Sequence, residues 1–160
     1  MKNVFKGRTQ FQIILSSIAG TTLMTFYSYI VSWTKDKNFK EPRLLGTLAQ
    51  RITGMPERDK WTAGWHIHYL TGLLFAEIYA PFWSDDIHSC NSKTGLILGG
   101  LSGVAAILIW KFTLEMHPFP PAVNFNRFAG VLFIAHVIFG LSAGLTYSLT
   151  RKKAGVNVAA

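Results

Sequence analysis

The chain has 160 residues, enough for one domain, and 49% of them are hydrophobic whereas only 15% are charged. The formal net charge of +8 is compatible with a nucleic-acid partner or with an anionic membrane surface. The basic residues lie in the tails and loops beside long apolar runs, as they do at membrane flanks, which argues against nucleic acid. We therefore expect a single integral membrane domain, residues 1–160, whose partner is the lipid bilayer.

Four apolar runs predict transmembrane helices at residues 11–33, 64–83, 95–114 and 128–149. Each run is near the length of about 20 residues that crosses a bilayer core as a helix. The predicted fold class is all-α, a four-helix transmembrane bundle. Basic residues occur on both sides, so the positive-inside rule does not decide the orientation, and the three bases of the short N-terminal tail favour cytoplasmic termini.

The long first loop contains a helix of another kind. Four of its apolar residues fall on one helical face: Leu44, Leu45, Leu48 and Ile52. This spacing predicts a short amphipathic helix between the first two spans. Two interpretations are open, because such a helix lies either at the membrane surface or against the end of the bundle.

The second and fourth spans share one pattern. The second span reads His68-x3-Gly72-x3-Ala76-x2-Tyr79, and the fourth reads His136-x3-Gly140-x3-Gly144-x2-Tyr147. This spacing keeps all four positions on one helix face. The first and third spans match more loosely, as 17–20 against 100–103. The pattern predicts two tandem two-helix units, related by an approximate twofold axis along the membrane normal.

Small residues recur every fourth position in the spans. In lipid, helices associate through close packing rather than through the hydrophobic effect, and residues without bulk let two backbones approach. The predicted packing positions are Gly20, Gly72, Ala76, Gly95, Gly99, Gly103, Gly140 and Gly144. They serve a tight bundle, a homo-oligomer or contact with another membrane subunit, and the sequence does not separate these.

Two histidines inside the spans are the candidate cofactor-binding residues. His68 and His136 should lie at similar depth, and two neutral imidazoles on facing helices can ligate the iron of one haem b. The alternative is a pair of buried histidines that are hydrogen-bonded to neighbouring groups. The small-residue face favours this alternative, since it brings the helices close together, whereas a haem would hold them apart.

Three further polar residues fall within the spans: Glu77, Tyr79 and Tyr147. Glu77 either handles a proton or cation inside the membrane or extends to its boundary, where it can pair with Lys111. The second loop carries potential ligands at Asp85, Asp86, His88 and Cys90. Their spacing matches no zinc motif, so no metal site is predicted.

Short motifs in the spans carry a resemblance to a known group of proteins. They are 19–25 (AGTTLMT), His68-x3-Gly72 with Ile78-Tyr79-Ala80, and His136-x3-Gly140-Leu141-x2-Gly144. In these the chain resembles small uncharacterised bacterial inner-membrane families of the YagU-like type. The resemblance implies a four-span protein of the bacterial inner membrane and supplies no reaction or catalytic residue.

The sequence has no phosphate loop and no H-E-x-x-H. This favours a non-enzymatic accessory or scaffold subunit of a membrane assembly, without a catalytic residue. One alternative is a b-type haem or quinone-linked electron-transfer subunit that uses His68 and His136. Another is a small transporter or channel with Glu77 in its path.

Overall fold

The computed structural model describes residues 2–35, 38–84 and 92–156. Within these ranges the chain forms five α-helices and no strand: α1 (Lys2–Thr34), α2 (Glu41–Thr53), α3 (Lys60–Ser84), α4 (Ser92–Met116) and α5 (Phe125–Val156). The all-α class is thereby confirmed. The candidate ligands of the second loop, Asp85, Asp86, His88 and Cys90, lie outside the described residues.

Three segments are long and apolar enough to cross a membrane. They are Gln10–Thr34 in α1, Lys93–Met116 in α4 and Phe125–Arg151 in α5, and they indicate an integral membrane protein. No such segment is found in α3, although it has 25 residues. His66, His68 and Glu77 lower its hydropathy, so its length and composition do not by themselves make it a fourth span.

Helix α2 is the amphipathic element of the first loop. Pro42 in its first turn fits a position where the backbone N–H has no intrahelical acceptor. The helix ends at Gly54, whose φ of 69° is left-handed and whose N–H donates to the Gln50 carbonyl oxygen at 2.9 Å. Leu44 and Leu48 are buried in a cluster with residues of α4 and α5. The helix is therefore packed against its neighbours, although Ile52, expected on the same face, is 66% exposed.

Helix α1 runs antiparallel to α3, and α4 runs antiparallel to α5. In the α1–α3 pair, Gly72 lies against Thr21, and His68 contacts Thr25 one turn away. In the α4–α5 pair, the backbones themselves meet, because a Cβ added at Gly140 would lie 2.7 Å from the Cα atom of Gly99. The first pair is thus joined by polar side chains and the second by direct backbone contact.

The two pairs meet along α5. Helix α1 packs along α5, where Gly20 contacts Phe139. Helix α3 runs parallel to α5 and touches it through aromatic rings, with Phe75 and His136 centroids 5.5 Å apart and Trp83 and Tyr147 centroids 5.2 Å apart. Helices α3 and α4 touch at few positions. A gap therefore remains between α3 and α4.

Candidate functional site

The gap between α3 and α4 contains a cavity of about 130 Å³. Helix α5 forms its floor and helix α2 closes one end. Its lining is Met24, Glu41, Leu45, His68, Thr71, Gly72, Phe75, Ala106, Ile109, Trp110, Thr113, Leu132, His136 and Phe139. The lining is mostly apolar, but it includes both histidines that the sequence singles out and one carboxyl group. Thr71 and Ile109 are also exposed on the outer surface, so the cavity reaches the side of the bundle.

His68 is buried, with 6% of its surface exposed, and it is held by α1. Its Nε2 lies 2.7 Å from the Thr25 hydroxyl oxygen. That hydroxyl donates its proton to the Thr21 carbonyl oxygen at 2.6 Å. Because the hydroxyl proton is already used, Nε2 must be the donor in the bond to Thr25. His68 is then the Nε2–H tautomer, and its Nδ1 keeps a lone pair.

His136 is held by its own helix. Its Nδ1 lies 2.9 Å from the Leu132 carbonyl oxygen, one turn back in α5. A carbonyl oxygen only accepts, so Nδ1 carries the proton and Nε2 keeps a lone pair. Phe75 packs edge-on against the ring and fixes its orientation.

Both histidines therefore retain one unprotonated ring nitrogen at the same cavity. Neither Nδ1 of His68 nor Nε2 of His136 has a hydrogen-bond partner among the residues that the structure describes. The predicted hydrogen bonding of the buried histidines therefore holds for only one nitrogen of each ring. The other nitrogen of each ring can accept a hydrogen bond from a ligand.

Glu41 is the third titratable group of the cavity, after the two histidines, and its role is not evident from the sequence. It is the first residue of α2, it is 1% exposed, and its Oε1 accepts a hydrogen bond from the Ser28 hydroxyl at 2.7 Å. Its Oε2 is buried without a hydrogen-bond partner in the described chain. Burial raises the pKa of this carboxyl group to about 7, while hydrogen bonds from Ser28 and from its own backbone oppose the rise. Glu41 can thus hold or release a proton near neutral pH.

The other polar residues expected inside the membrane lie away from the cavity. Tyr79 is buried and donates to the Leu98 carbonyl oxygen at 2.9 Å, with the Ser102 hydroxyl 2.5 Å away. Tyr147 is buried against Trp83. Glu77 is half-buried and does not line the cavity. The three residues therefore do not form a common site.

The small residues expected to pack helices lie mostly at helix contacts. Gly95, Gly99 and Gly103 line the α4 side of the α4–α5 contact. Gly140 meets Gly95 and Gly99 from the α5 side, Ala76 is buried in the core, and a Cβ added at Gly144 would lie 3.8 Å from both Gly95 and Trp83. Side chains rather than backbone face Gly20 and Gly72. Among these predicted positions, backbone contact therefore occurs between α4 and α5; Gly46 and Gly64, which were not predicted, bring the backbones of α2 and α3 equally close.

A metal centre has no support within the described ranges. No group of three or more His, Cys, Asp or Glu side chains there could hold a metal ion. The donors at the cavity are two neutral imidazoles and a carboxyl group, which suit hydrogen bonding to an organic ligand.

A haem does not fit the cavity as it stands. An engineered protein cavity of about 150 Å³ holds benzene, so a volume of about 130 Å³ corresponds to one six-membered ring. A haem has four pyrrole rings around its iron. The tight contact of Gly99 with the backbone of His136 also prevents α4 and α5 from separating without loss of packing.

Comparison with family models, with curated proteins and with solved structures finds no match to this chain. The resemblance to YagU-like families therefore stays a prediction, and the cavity is the feature of the structure that bears on function.

Proposed function

We propose that the protein is a four-span membrane protein, with α3 as the fourth span. The 25 residues of α3 extend about 37 Å at about 1.5 Å per residue, more than the bilayer core of about 30 Å. Its exposed surface carries an apolar stripe at every fourth position, formed by Leu70, Leu74, Ile78 and Phe82. The hydrophilic His68 is turned inward. A helix that faces outward with leucine, isoleucine and phenylalanine is suited to lipid.

The repeat belongs to the same proposal. Gly72 and His68 lie opposite Thr21 and Thr25, while Gly140 and His136 lie opposite Gly95 and Gly99. This supports two equivalent two-helix units, each with the His-x3-Gly face turned towards the preceding helix. Residues 21 and 25 of α1 therefore correspond to residues 95 and 99 of α4 in the proposed repeat. The sequence instead suggests that residues 17–20 correspond to residues 100–103.

We further propose that the cavity binds the ring of a quinol-type lipid. The observation that carries this proposal is that two histidines, each with one ring nitrogen not bonded to a described residue, line a space the size of one six-membered ring. A hydroquinone ring supplies two hydroxyl donors for these acceptors, whereas the oxidised quinone has carbonyl acceptors only. The opening beside Thr71 and Ile109 gives access from the lipid side. The ligand is therefore the reduced form, taken from the bilayer.

Such a protein would be an accessory subunit that holds a quinol within a larger membrane assembly. The lack of a phosphate loop and of H-E-x-x-H in the sequence and the small extramembrane part support this role. A transport path through Glu77 has less support, because Glu77 does not line the cavity. We further propose that the protein lies in the bacterial inner membrane. Its termini are then on the cytoplasmic side, as the three bases of the N-terminal tail suggest.

Binding of a short-chain hydroquinone to purified protein in nanodiscs tests the ligand class. His68→Leu and His136→Leu should each weaken binding by about tenfold, the value of one hydrogen bond of about 1.4 kcal/mol. His66→Leu is the matched control, because His66 lies on the same helix, is exposed and does not line the cavity. Wild-type protein should prefer hydroquinone to quinone.

Two results would contradict the quinol proposal. One is equal binding by the His68, His136 and His66 variants, which would place the ligand elsewhere. The other is a Soret band in the purified protein that disappears in both cavity variants, which would establish a haem site instead. Colourless protein with histidine-dependent hydroquinone binding supports the proposal.

A further inference from the structure

A groove of about 510 Å³ lies between α1 and α5, apart from the histidine cavity. The two openings share no lining residue. Polar residues line the groove where the candidate spans begin or end, namely Lys35, Asn126 and Arg127. The part of the groove that lies further along the two helices is formed by Val31, Gly130 and Ile134. Ile134 lies about 10 Å further along the helix than Arg127, at about 1.5 Å per residue.

The mouth of the groove carries two positive charges, those of Lys35 and Arg127. Neither Lys35 nor Arg127 forms an ion pair among the described residues, and no acidic residue lines the groove. Asp36 and Lys37, which follow Lys35, lie outside the described residues and together add no net charge. Two cations thus remain for an external anion at the membrane boundary.

Gly130 keeps the groove open. A Cβ added at this position would meet nothing within 4 Å, whereas one at Gly140 would collide with the backbone of α4. Gly130 is therefore not needed for helix packing. It leaves a shallow depression in the surface of α5, one turn inward from Arg127, where an acyl chain can lie.

We infer that this groove binds an anionic phospholipid. The headgroup phosphate meets the side chains of Lys35 and Arg127, and the Asn126 amide adds a hydrogen-bond donor. The acyl chain follows the apolar part past Val31 and Gly130. Basic pockets between membrane helices have this character when they hold anionic headgroups. A soluble anion would use only the mouth, and a zwitterionic lipid would gain less from two cations.

Native mass spectrometry of the protein from phosphatidylcholine nanodiscs with added phosphatidylglycerol measures the binding. Lys35→Gln combined with Arg127→Gln should lower phosphatidylglycerol affinity by about 30-fold, from the known strength of basic side chains at charged membranes. The control combines Arg58→Gln with Lys111→Gln. It removes two positive charges, as the test variant does, from exposed positions at the end of the bundle where α1 ends. This control should keep wild-type binding.

Gly130→Leu tests the acyl-chain part without changing the charge. The leucine enters open space, so folding should be unaffected, while phosphatidylglycerol binding should fall several-fold. The inference is overturned if the charge variant and its control bind alike, or if phosphatidylcholine binds as well as phosphatidylglycerol. It is also overturned if inorganic phosphate displaces the lipid completely at equal concentration, because the site would then be one for a free anion.

Discussion

Glutamine in place of Glu41 should remove a pH dependence of stability that the buried carboxyl group imposes. The side chain is 1% exposed, and burial raises its pKa from 4.5 to about 7. Glutamine keeps the shape and can still accept the Ser28 hydrogen bond, but it does not ionise. The variant therefore isolates the cost of a buried negative charge between α1 and α2.

The direction in which stability changes with pH follows from the raised pKa of Glu41 in the folded state. Below the unfolded value of 4.5 the carboxyl group is protonated in both states, and its contribution to stability is fully present. As pH rises through about 7, the folded protein must hold a buried carboxylate, and stability is lost. The shift from 4.5 to about 7 corresponds to about 3 kcal/mol, of which about 2.5 kcal/mol falls between about pH 5 and about pH 8.

Thermal unfolding in detergent at these two pH values measures the effect. Wild-type protein should melt roughly 5–10 °C lower at the higher pH, using about 2–4 °C per kcal/mol for a chain of this size. Glu41→Gln should be nearly insensitive to pH over the same range. Glu57→Gln is the control, because its side chain is 69% exposed and should retain the wild-type slope. Equal slopes for wild type and Glu41→Gln would refute a buried, titrating Glu41.

Two further substitutions test the helix contacts. Gly140→Val should destabilise the protein by about 3 kcal/mol or more, because the added side chain meets the α4 backbone, whereas Gly130→Ala should melt as wild type does. Tyr79→Phe should cost about 0.6–1.7 kcal/mol, the range for side-chain hydrogen bonds within membranes, because it removes the hydroxyl that bonds the Leu98 carbonyl oxygen and the Ser102 hydroxyl. Denaturant titration in mixed micelles measures the free energy of unfolding of each variant. An unchanged value for Gly140→Val would contradict the backbone contact between α4 and α5. An unchanged value for Tyr79→Phe would contradict the hydrogen bonds of its hydroxyl group.

The helices were predictable because long uncharged runs can satisfy their backbone groups in lipid only as helices. Their ends were less predictable. Helix α1 begins at Lys2, nine residues before the expected span, because a helix can continue into water beyond the apolar run. Helix α3 shows the limit of composition, since hydropathy does not reveal that His68 is turned inward while Leu70 and Leu74 face outward.

The cavity was predictable only in part. Histidines inside a span are costly, so His68 and His136 stand out in the sequence. Glu41 does not stand out, because it follows Lys40 and precedes Pro42 in a polar loop where a carboxylate is ordinary. Its burial depends on how α2 packs in the bundle and on the bond from Ser28, thirteen residues earlier. Contacts of this kind are tertiary and leave no periodic signal in the sequence.

The position of the cavity follows from how the two proposed units differ. In a twofold arrangement, the contact of α1 with α5 has its counterpart in the contact of α4 with α3. The first is an extended contact that leaves a groove near Lys35 and Arg127, while the second is sparse and opens into the cavity. Helix α2 belongs to the first unit only, and its Glu41 and Leu45 occupy the end of this opening. The inserted helix therefore makes the two units unequal at this end, and it supplies the one carboxyl group that lines the cavity together with the two histidines.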